Sequence, residues 1–170
     1  NFTKQLTVIG MGYYLGENDS TPAQKAGSIV GQLKFNSGSE GSIIQGIYSN
    51  SKTYINTDSI IIRRCNLYSF IICEEGSAAN CIVEQNFIRD VSYEGTTGDF
   101  SNLIFSNNIL NRGFGMDAGS SGTFRNNIFD NGNWSSSYFY NSTVENNIFY
   151  THGINASSSN NSVQYNVFAE

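Results

Sequence analysis

Residues 124–132 read FRNNIFDNG, and residues 144–152 read VENNIFYTH. Both contain Asn-Asn-Ile-Phe, and the second copy of this core begins 20 residues after the first. Related segments lie on either side, each with an anchor asparagine followed by apolar residues. The five anchors, spaced by 22, 19, 20 and 19 residues, are Asn86, Asn108, Asn127, Asn147 and Asn166. A fixed period of about 20 residues is typical of a chain that stacks one structural unit on the next.

Each unit has apolar residues at fixed distances from its anchor. Three residues before the anchors lie Val83, Phe105, Phe124, Val144 and Val163. Two residues after them lie Ile88, Leu110, Phe129, Phe149 and Phe168. This alternation predicts short strands with one buried face. We expect the anchor to end its strand in the left-handed conformation, which asparagine tolerates well, and its amide to bond the asparagine of the next unit.

Earlier units fit the same pattern less closely. In IIIRRCNLY (60–68), Cys65 takes the anchor place, because anchoring on Asn66 would turn Arg63 into the core. The segment 42–49 is a further unit with its register open by one residue, and the segment 6–12 is another. The residues 12–36 interrupt the period, as an irregular insertion or a covering segment.

The pattern predicts one all-β domain over residues 1–170, a β-solenoid of about seven coils of ~20 residues. Its structural ladder consists of Cys65, Asn86, Asn108, Asn127, Asn147 and Asn166. The chain begins in a strand at NFTKQLTVIG and stops directly after another at Phe168. We therefore expect either flanking domains of a longer chain or copies that associate head to tail.

The composition limits the partners. Charged residues make up 14% of the chain and the net charge is −5, so we expect no nucleic-acid binding. No apolar run reaches the ~18 residues that a membrane helix needs, so we expect no membrane insertion. Cys65, Cys73 and Cys81 match neither a zinc motif nor a disulfide framework and are interpreted as buried thiols. We expect no metal and no cofactor.

The segments CIVEQNFI, LIFSNNIL, TFRNNIF and TVENNIF resemble the right-handed parallel β-helix proteins of the pectin-lyase-like superfamily. The resemblance covers roughly residues 40–168 and is strongest to secreted bacterial members of unassigned activity. It implies that the solenoid is a right-handed parallel β-helix and that the protein is secreted or displayed on the cell surface. It does not fix the chemistry, because this fold serves lyases, hydrolases, adhesins and phage spikes.

The resemblance suggests catalytic motifs to test. Polygalacturonase-like enzymes use Asn-Thr-Asp and Gly-His-Gly motifs on neighbouring coils, and this chain has NTD at 56–58 and THG at 151–153. Asp58 and His152 lie four to five coils apart, which is roughly 20 Å at ~4.8 Å per coil and beyond a shared proton transfer. Pectate lyases gather carboxylates for calcium, but Glu84 and Glu145 are three coils apart and cannot share one ion. We therefore assign no catalytic residues.

Two outward columns flank the buried strand positions. The first, two residues before each anchor, holds charges of alternating sign that can pair across strands: Arg63, Glu84, Ser106, Arg125, Glu145 and Gln164. The second contains an apolar patch that needs a cover, in the order Ile61, Ile82, Ile104, Thr123, Thr143 and Ser162. Three alternatives could cover this patch. The first is the segment 12–36, which contains Tyr13, Tyr14 and Leu15. The other two are a partner protein and a glycan.

Aromatic residues near the later turns are candidate ligand-binding residues: Trp134, Tyr138, Tyr140 and Tyr150. They could stack on sugar rings or cap the core beneath the loops. We expect a non-catalytic structural or adhesive module that binds glycan or protein or stacks into a larger assembly. The alternative is a polysaccharide lyase or glycoside hydrolase, which acids converging on one groove would indicate.

Overall fold

The computed structural model describes residues 1–12, 27–73, 76–90, 98–112, 114–130, 136–150, 153–155 and 160–169. These residues form strands and turns and contain no helix. The strands are β1 (Thr7–Ile9), β2 (Ile29–Val30), β3 (Leu33–Phe35), β4 (Ile43–Gln45), β5 (Tyr48–Ile55), β6 (Ile61–Arg63), β7 (Asn66–Ile72), β8 (Ala78–Ala79), β9 (Ile82–Glu84), β10 (Phe87–Ile88), β11 (Phe100–Ser101), β12 (Leu103–Ser106), β13 (Ile109–Leu110), β14 (Gly122–Arg125), β15 (Ile128–Phe129), β16 (Ser136–Tyr138), β17 (Ser142–Glu145), β18 (Ile148–Tyr150), β19 (Gly153–Asn155), β20 (Ser162–Gln164) and β21 (Val167–Ala169).

Two long parallel sheets run the length of the stack. The eight-stranded sheet has the order β1-β4-β6-β9-β12-β14-β17-β20. The nine-stranded sheet has the order β2-β5-β7-β10-β13-β15-β18-β21, with β3 also paired to β5. Two short pairs, β8 with β11 and β16 with β19, lie outside these sheets. The chain thus adds one strand to each long sheet per coil, which confirms the predicted β-solenoid.

The regular part of the stack has about six turns. Paired positions of the eight-stranded sheet from β4 to β20 are 18, 21, 22, 19, 20 and 19 residues apart. The step from β1 to β4 takes 36 residues, from Thr7 to Ile43. This long step contains residues 12–36, where the sequence predicts an interruption of the period, and the stack has about six turns where about seven coils were predicted.

The sharp bend between the two sheets lies one residue before each anchor. In Asn-Asn-Ile-Phe, Asn126 has φ 56° and is exposed, whereas Asn127 is buried. The same bend, with φ between 53° and 68°, occurs at Gly46, Arg64, Gln85, Asn107, Asn146 and Tyr165. Our expectation that the anchor takes the left-handed conformation is wrong. The anchor's N–H and amide both point along the stack, so the preceding residue takes the bend.

The doubled asparagine and the doubled apolar pair therefore have four separate roles. Asn126 bends the chain and Asn127 bonds within the stack. Ile128 lies half-buried on the outside of the nine-stranded sheet, and Phe129 is completely buried. This division follows from the period of two in a strand that starts immediately after a bend.

A column of phenyl rings fills the interior. Phe129 and Phe149 stack with ring centroids 4.6 Å apart and an interplanar angle of 1°. The ring centroids of Phe105 and Phe124 are 5.7 Å apart. The predicted inward positions are buried from Val83 to Phe149, which confirms them. Val163 and Phe168 are 40% and 56% exposed, because the described residues cover the last coil on one side only.

The early units are also part of the stack. Ile43 pairs with Ile61, and Tyr48 pairs with Asn66. Ile47 therefore lies opposite Cys65, and both are buried, so Ile47 takes the anchor position of residues 42–49. The segment 6–12 supplies β1. Within residues 12–36, β2 and β3 pair with β5, and Phe35 is completely buried. This part belongs to the stack, whereas Tyr13, Tyr14 and Leu15 lie outside the described residues.

Candidate functional site

The anchor asparagines form one continuous ladder. The Nδ2 of each anchor donates to Oδ1 of the next, from Asn86 to Asn166, at 3.0–3.1 Å. The backbone N–H of each anchor donates to the same oxygen at 2.9 Å. Each Nδ2 from Asn108 onward also donates to a carbonyl of the preceding coil at 2.9 Å. Cys65 joins through its N–H, which donates to Oδ1 of Asn86 at 2.9 Å. The ladder binds coil to coil.

The NTD motif at 56–58 makes contacts with neighbouring coils. Asp58 accepts a hydrogen bond at 2.7 Å from the N–H of Ala79. The Thr57 hydroxyl donates to Glu40, which also accepts at 2.9 and 3.0 Å from the N–H of Gly38. The Thr57 hydroxyl is the main cause of a lowered pKa of Glu40, with the backbone N–H groups adding to it. Each of these side chains fixes a turn, and His152 lies outside the described residues.

The three cysteines are buried and free, as the sequence predicts. Burial raises the pKa of Cys65, and it raises the pKa of Cys73 to about 12 and that of Cys81 to about 11. These thiols stay protonated in the folded chain at neutral pH. Only the thiolate is reactive, so these protonated thiols act as apolar core residues and not as nucleophiles.

Three further structural features bear on possible sites. Within the described ranges, no group of three or more His, Cys, Asp or Glu side chains is placed to hold a metal ion. Arg112 forms an ion pair with Asp90 at 3.1 Å. In the same part of the chain there is no helix long and apolar enough to cross a membrane.

The eight-stranded sheet carries the charged column on its outward face. Strand pairing places Arg63, Glu84, Ser106, Arg125 and Glu145 side by side in successive coils, followed by Gln164. Ser106 is 2% exposed, and the charged members are half-buried or exposed. At one end, Nε of Arg63 donates to Oε1 of Gln45 at 2.9 Å.

The isoleucine column runs beside the charged column on the same face. In register it holds Ile43, Ile61, Ile82, Ile104, Thr123, Thr143 and Ser162. A groove of about 390 Å³ lies over Ile82, Ile104 and Thr123, with Asn80 and Asn102 along its rim. Ile104 is the most open of these isoleucines at 36%. The face therefore has parallel amide, apolar and charged columns.

A third outward column lies on the nine-stranded sheet, and sequence reasoning missed it. We call it the aliphatic stripe, and strand pairing aligns it as Phe87, Ile109, Ile128, Ile148 and Val167. Ile109 and Val167 are 44% and 56% exposed, and the others are half-buried. The signal was available, because each member is the apolar residue directly after an anchor. The two outward columns predicted from the sequence both come from the strand before each anchor.

The candidate aromatic residues do not form a single platform. Tyr138 lies in β16 and is 39% exposed, whereas Tyr150 lies in β18 of the nine-stranded sheet and is 43% exposed. Tyr140 is half-buried against the core. Trp134 lies outside the described residues. The assignment of these residues to a ligand stays a prediction.

The sequence and the fold have no match among known proteins: no family model, no curated protein and no solved structure matches the chain. The strand pairing shows a parallel β-solenoid. The surfaces of this solenoid are the remaining evidence for its function.

Proposed function

We propose that this chain is a non-catalytic structural or adhesive module, a rigid rod that binds another protein chain along the aliphatic stripe. The observation that carries the proposal is the stripe itself, five apolar side chains in register on the outside of the nine-stranded sheet. At ~4.8 Å per strand the stripe is roughly 20 Å long. An apolar surface of this extent is typical of an interaction site.

A protein partner fits the stripe better than a glycan. Four of the five members are aliphatic β-branched residues, which suit the apolar centre of a protein interface. Sugar rings instead stack on aromatic side chains, and the exposed Tyr138 and Tyr150 belong to different sheets. The glycan partner is therefore the second choice.

The wider setting rests on the sequence. The repeated segments support membership of the pectin-lyase-like superfamily and, with it, a secreted or cell-surface bacterial protein.

The test is a peptide array and a glycan array probed with the purified chain, together with reducing-sugar release from acidic polysaccharides. The variant replaces Ile109, Ile128 and Ile148 by threonine, which keeps the β-branch and removes apolar surface. The matched control replaces Ile43, Ile61 and Ile82 of the other sheet by threonine. We expect peptide binding that falls at least tenfold in the first variant and stays within twofold in the control, with both variants folded by circular dichroism.

Three results would overturn the proposal. Equal peptide binding by the stripe variant would remove the stripe from the site. Glycan binding lost on Tyr138→Ala or Tyr150→Ala would make the module a glycan binder. Release of reducing sugar would restore the lyase or hydrolase alternative.

A further inference from the structure

We propose that two copies of this chain pair side by side through their eight-stranded sheets, with their coils stacked in opposite directions. This inference goes beyond the proposed function, whose surface lies on the nine-stranded sheet. It rests on the order of charges in the charged column.

The charged column is its own complement when it is reversed about Ser106. One coil to either side of Ser106 lie Glu84 and Arg125, and two coils to either side lie Arg63 and Glu145. Both charged pairs of positions equidistant from Ser106 therefore carry opposite charges, and the pair three coils away, Gln45 and Gln164, is neutral.

A two-fold axis parallel to the strands converts this order into an interface. Such an axis, placed at Ser106, keeps each column opposite the same column of the second copy and reverses the order of the coils. Arg63 then faces Glu145 of the second copy, and Glu84 faces Arg125 of the second copy. The symmetry repeats each contact, so the interface contains four ion pairs, as expected for an isologous dimer.

The isoleucine column obeys the same operation. Ile104 faces Ile104 of the second copy, and Ile82 and Ile61 face Thr123 and Thr143. No charge is placed against the apolar groove, and the threonine methyl groups contact isoleucine. At the axis, Ser106 has a small side chain, so it leaves room for the sheets to approach to the ~10 Å of packed sheets.

The neighbouring residues do not oppose this arrangement. In the bend beside the charged column, Arg64 faces Asn146 of the second copy, and Gln85 faces Asn126.

An alternative two-fold axis along the stack would set the charged column against the amide rim of Asn80 and Asn102, where the charges find no opposite sign. Charge complementarity suppresses wrong pairings of this kind and favours the reversed arrangement.

The size of the interface sets its strength. Five coils at ~4.8 Å, with about four residues of strand in each, bury on the order of 800–1,000 Å² in total, which is at the lower end of specific interfaces. We therefore expect a weak, transient dimer, and the test covers dissociation constants up to about 100 µM. Because the ion pairs lie at the rim of the isoleucine groove, added salt should weaken it.

The test is sedimentation velocity of the full chain over a range of concentrations, at low and high salt. Arg125→Glu places two acidic groups opposite each other at two sites and should weaken the dimer at least tenfold. The double variant Arg125→Glu, Glu84→Arg exchanges the charges and should restore it. These two positions are two coils, or about 10 Å, apart within one chain, so the melting temperature of the monomer is measured for both variants to separate a contact within a copy from one between copies. The control Lys4→Glu makes the same change in net charge at an exposed residue and should leave the dimer unchanged.

Each remaining outcome counts against the proposal. A wild-type chain that stays monomeric up to about 500 µM would exclude the dimer, since at least half should then be paired. Dimerisation that resists Arg125→Glu would place the interface elsewhere. Species that grow beyond a dimer with concentration, unaffected by Arg125→Glu, would show end-to-end stacking instead.

Discussion

The side-chain amide of Asn127 donates to Oδ1 of Asn147 at 3.0 Å, and the backbone N–H of Asn127 donates to the same oxygen at 2.9 Å. Asn127 also bonds the carbonyl of Phe105 and accepts two bonds from Asn108. Replacing Asn127 by leucine leaves several of these buried groups unpaired. We expect Asn127→Leu to lower the free energy of unfolding by about 2–4 kcal/mol, measured by urea denaturation.

The matched control for the ladder is the adjacent asparagine. Asn126 is exposed and takes the bend with φ 56°, so Asn126→Gly should change the free energy of unfolding by no more than about 0.5 kcal/mol. Equal destabilisation by the two substitutions would show that the ladder bonds do not distinguish these neighbours.

The bend itself gives a second prediction. A β-branched side chain is strongly disfavoured at positive φ, so Asn126→Val should destabilise the chain by about 1–2 kcal/mol. Ile128→Val, two residues later in a strand, provides the comparison and should cost less than about 1 kcal/mol. Thermal melts of the two variants measure the difference, and equal melting temperatures would contradict the assigned bend.

The fold could be predicted because its signal is local and repeated. Five anchors with inward residues at fixed distances fix both the strand period and the stacking direction, and the buried Phe105, Phe124 and Phe149 agree with that pattern. The position of the bend could not be read in the same way. Asn107, Asn126 and Asn146 hint at it, but Gln85 and Tyr165 occupy the same place without a left-handed preference.

The surfaces were predicted only in part. The charged and isoleucine columns follow from the strand before each anchor, and the structure places them in register. The order of charges about Ser106 can be read from the same positions, since each coil contributes one residue to the column. The long first step to Ile43 agrees with the predicted interruption of the period at residues 12–36, whereas the pairing of β2 and β3 with β5 inside this segment could not be predicted, since it carries no anchor.

The buried thiols predict how stability depends on alkaline pH. The pKa values of Cys73 and Cys81 are raised by burial from 9.0 to about 12 and about 11. Above pH 9 the unfolded chain releases these protons while the folded chain retains them, so stability is full below pH 9 and falls as the pH rises toward 11. Urea midpoints at pH 8 and pH 10 should show a smaller fall for Cys73→Ala than for the wild type. The same fall in both would mean that Cys73 ionises freely in the folded chain.

Glu40 predicts the opposite dependence, on the acid side. Hydrogen bonds from the Thr57 hydroxyl and from the N–H of Gly38 hold the pKa of Glu40 below its ordinary value of 4.5. The stabilisation is therefore present above pH 4.5 and is lost as the pH falls through the lower, folded-state pKa. Thr57 is 6% exposed, and Thr57→Val removes its hydroxyl while keeping its shape. We expect this variant to raise the pKa of Glu40, measured by NMR titration of its carboxyl carbon, and to flatten the loss of stability below pH 4.5. Ser59→Ala, two residues from Thr57, is the control and should leave the NMR titration of Glu40 unchanged. A Glu40 that titrates alike in wild type and Thr57→Val would show that the hydroxyl does not hold the carboxylate.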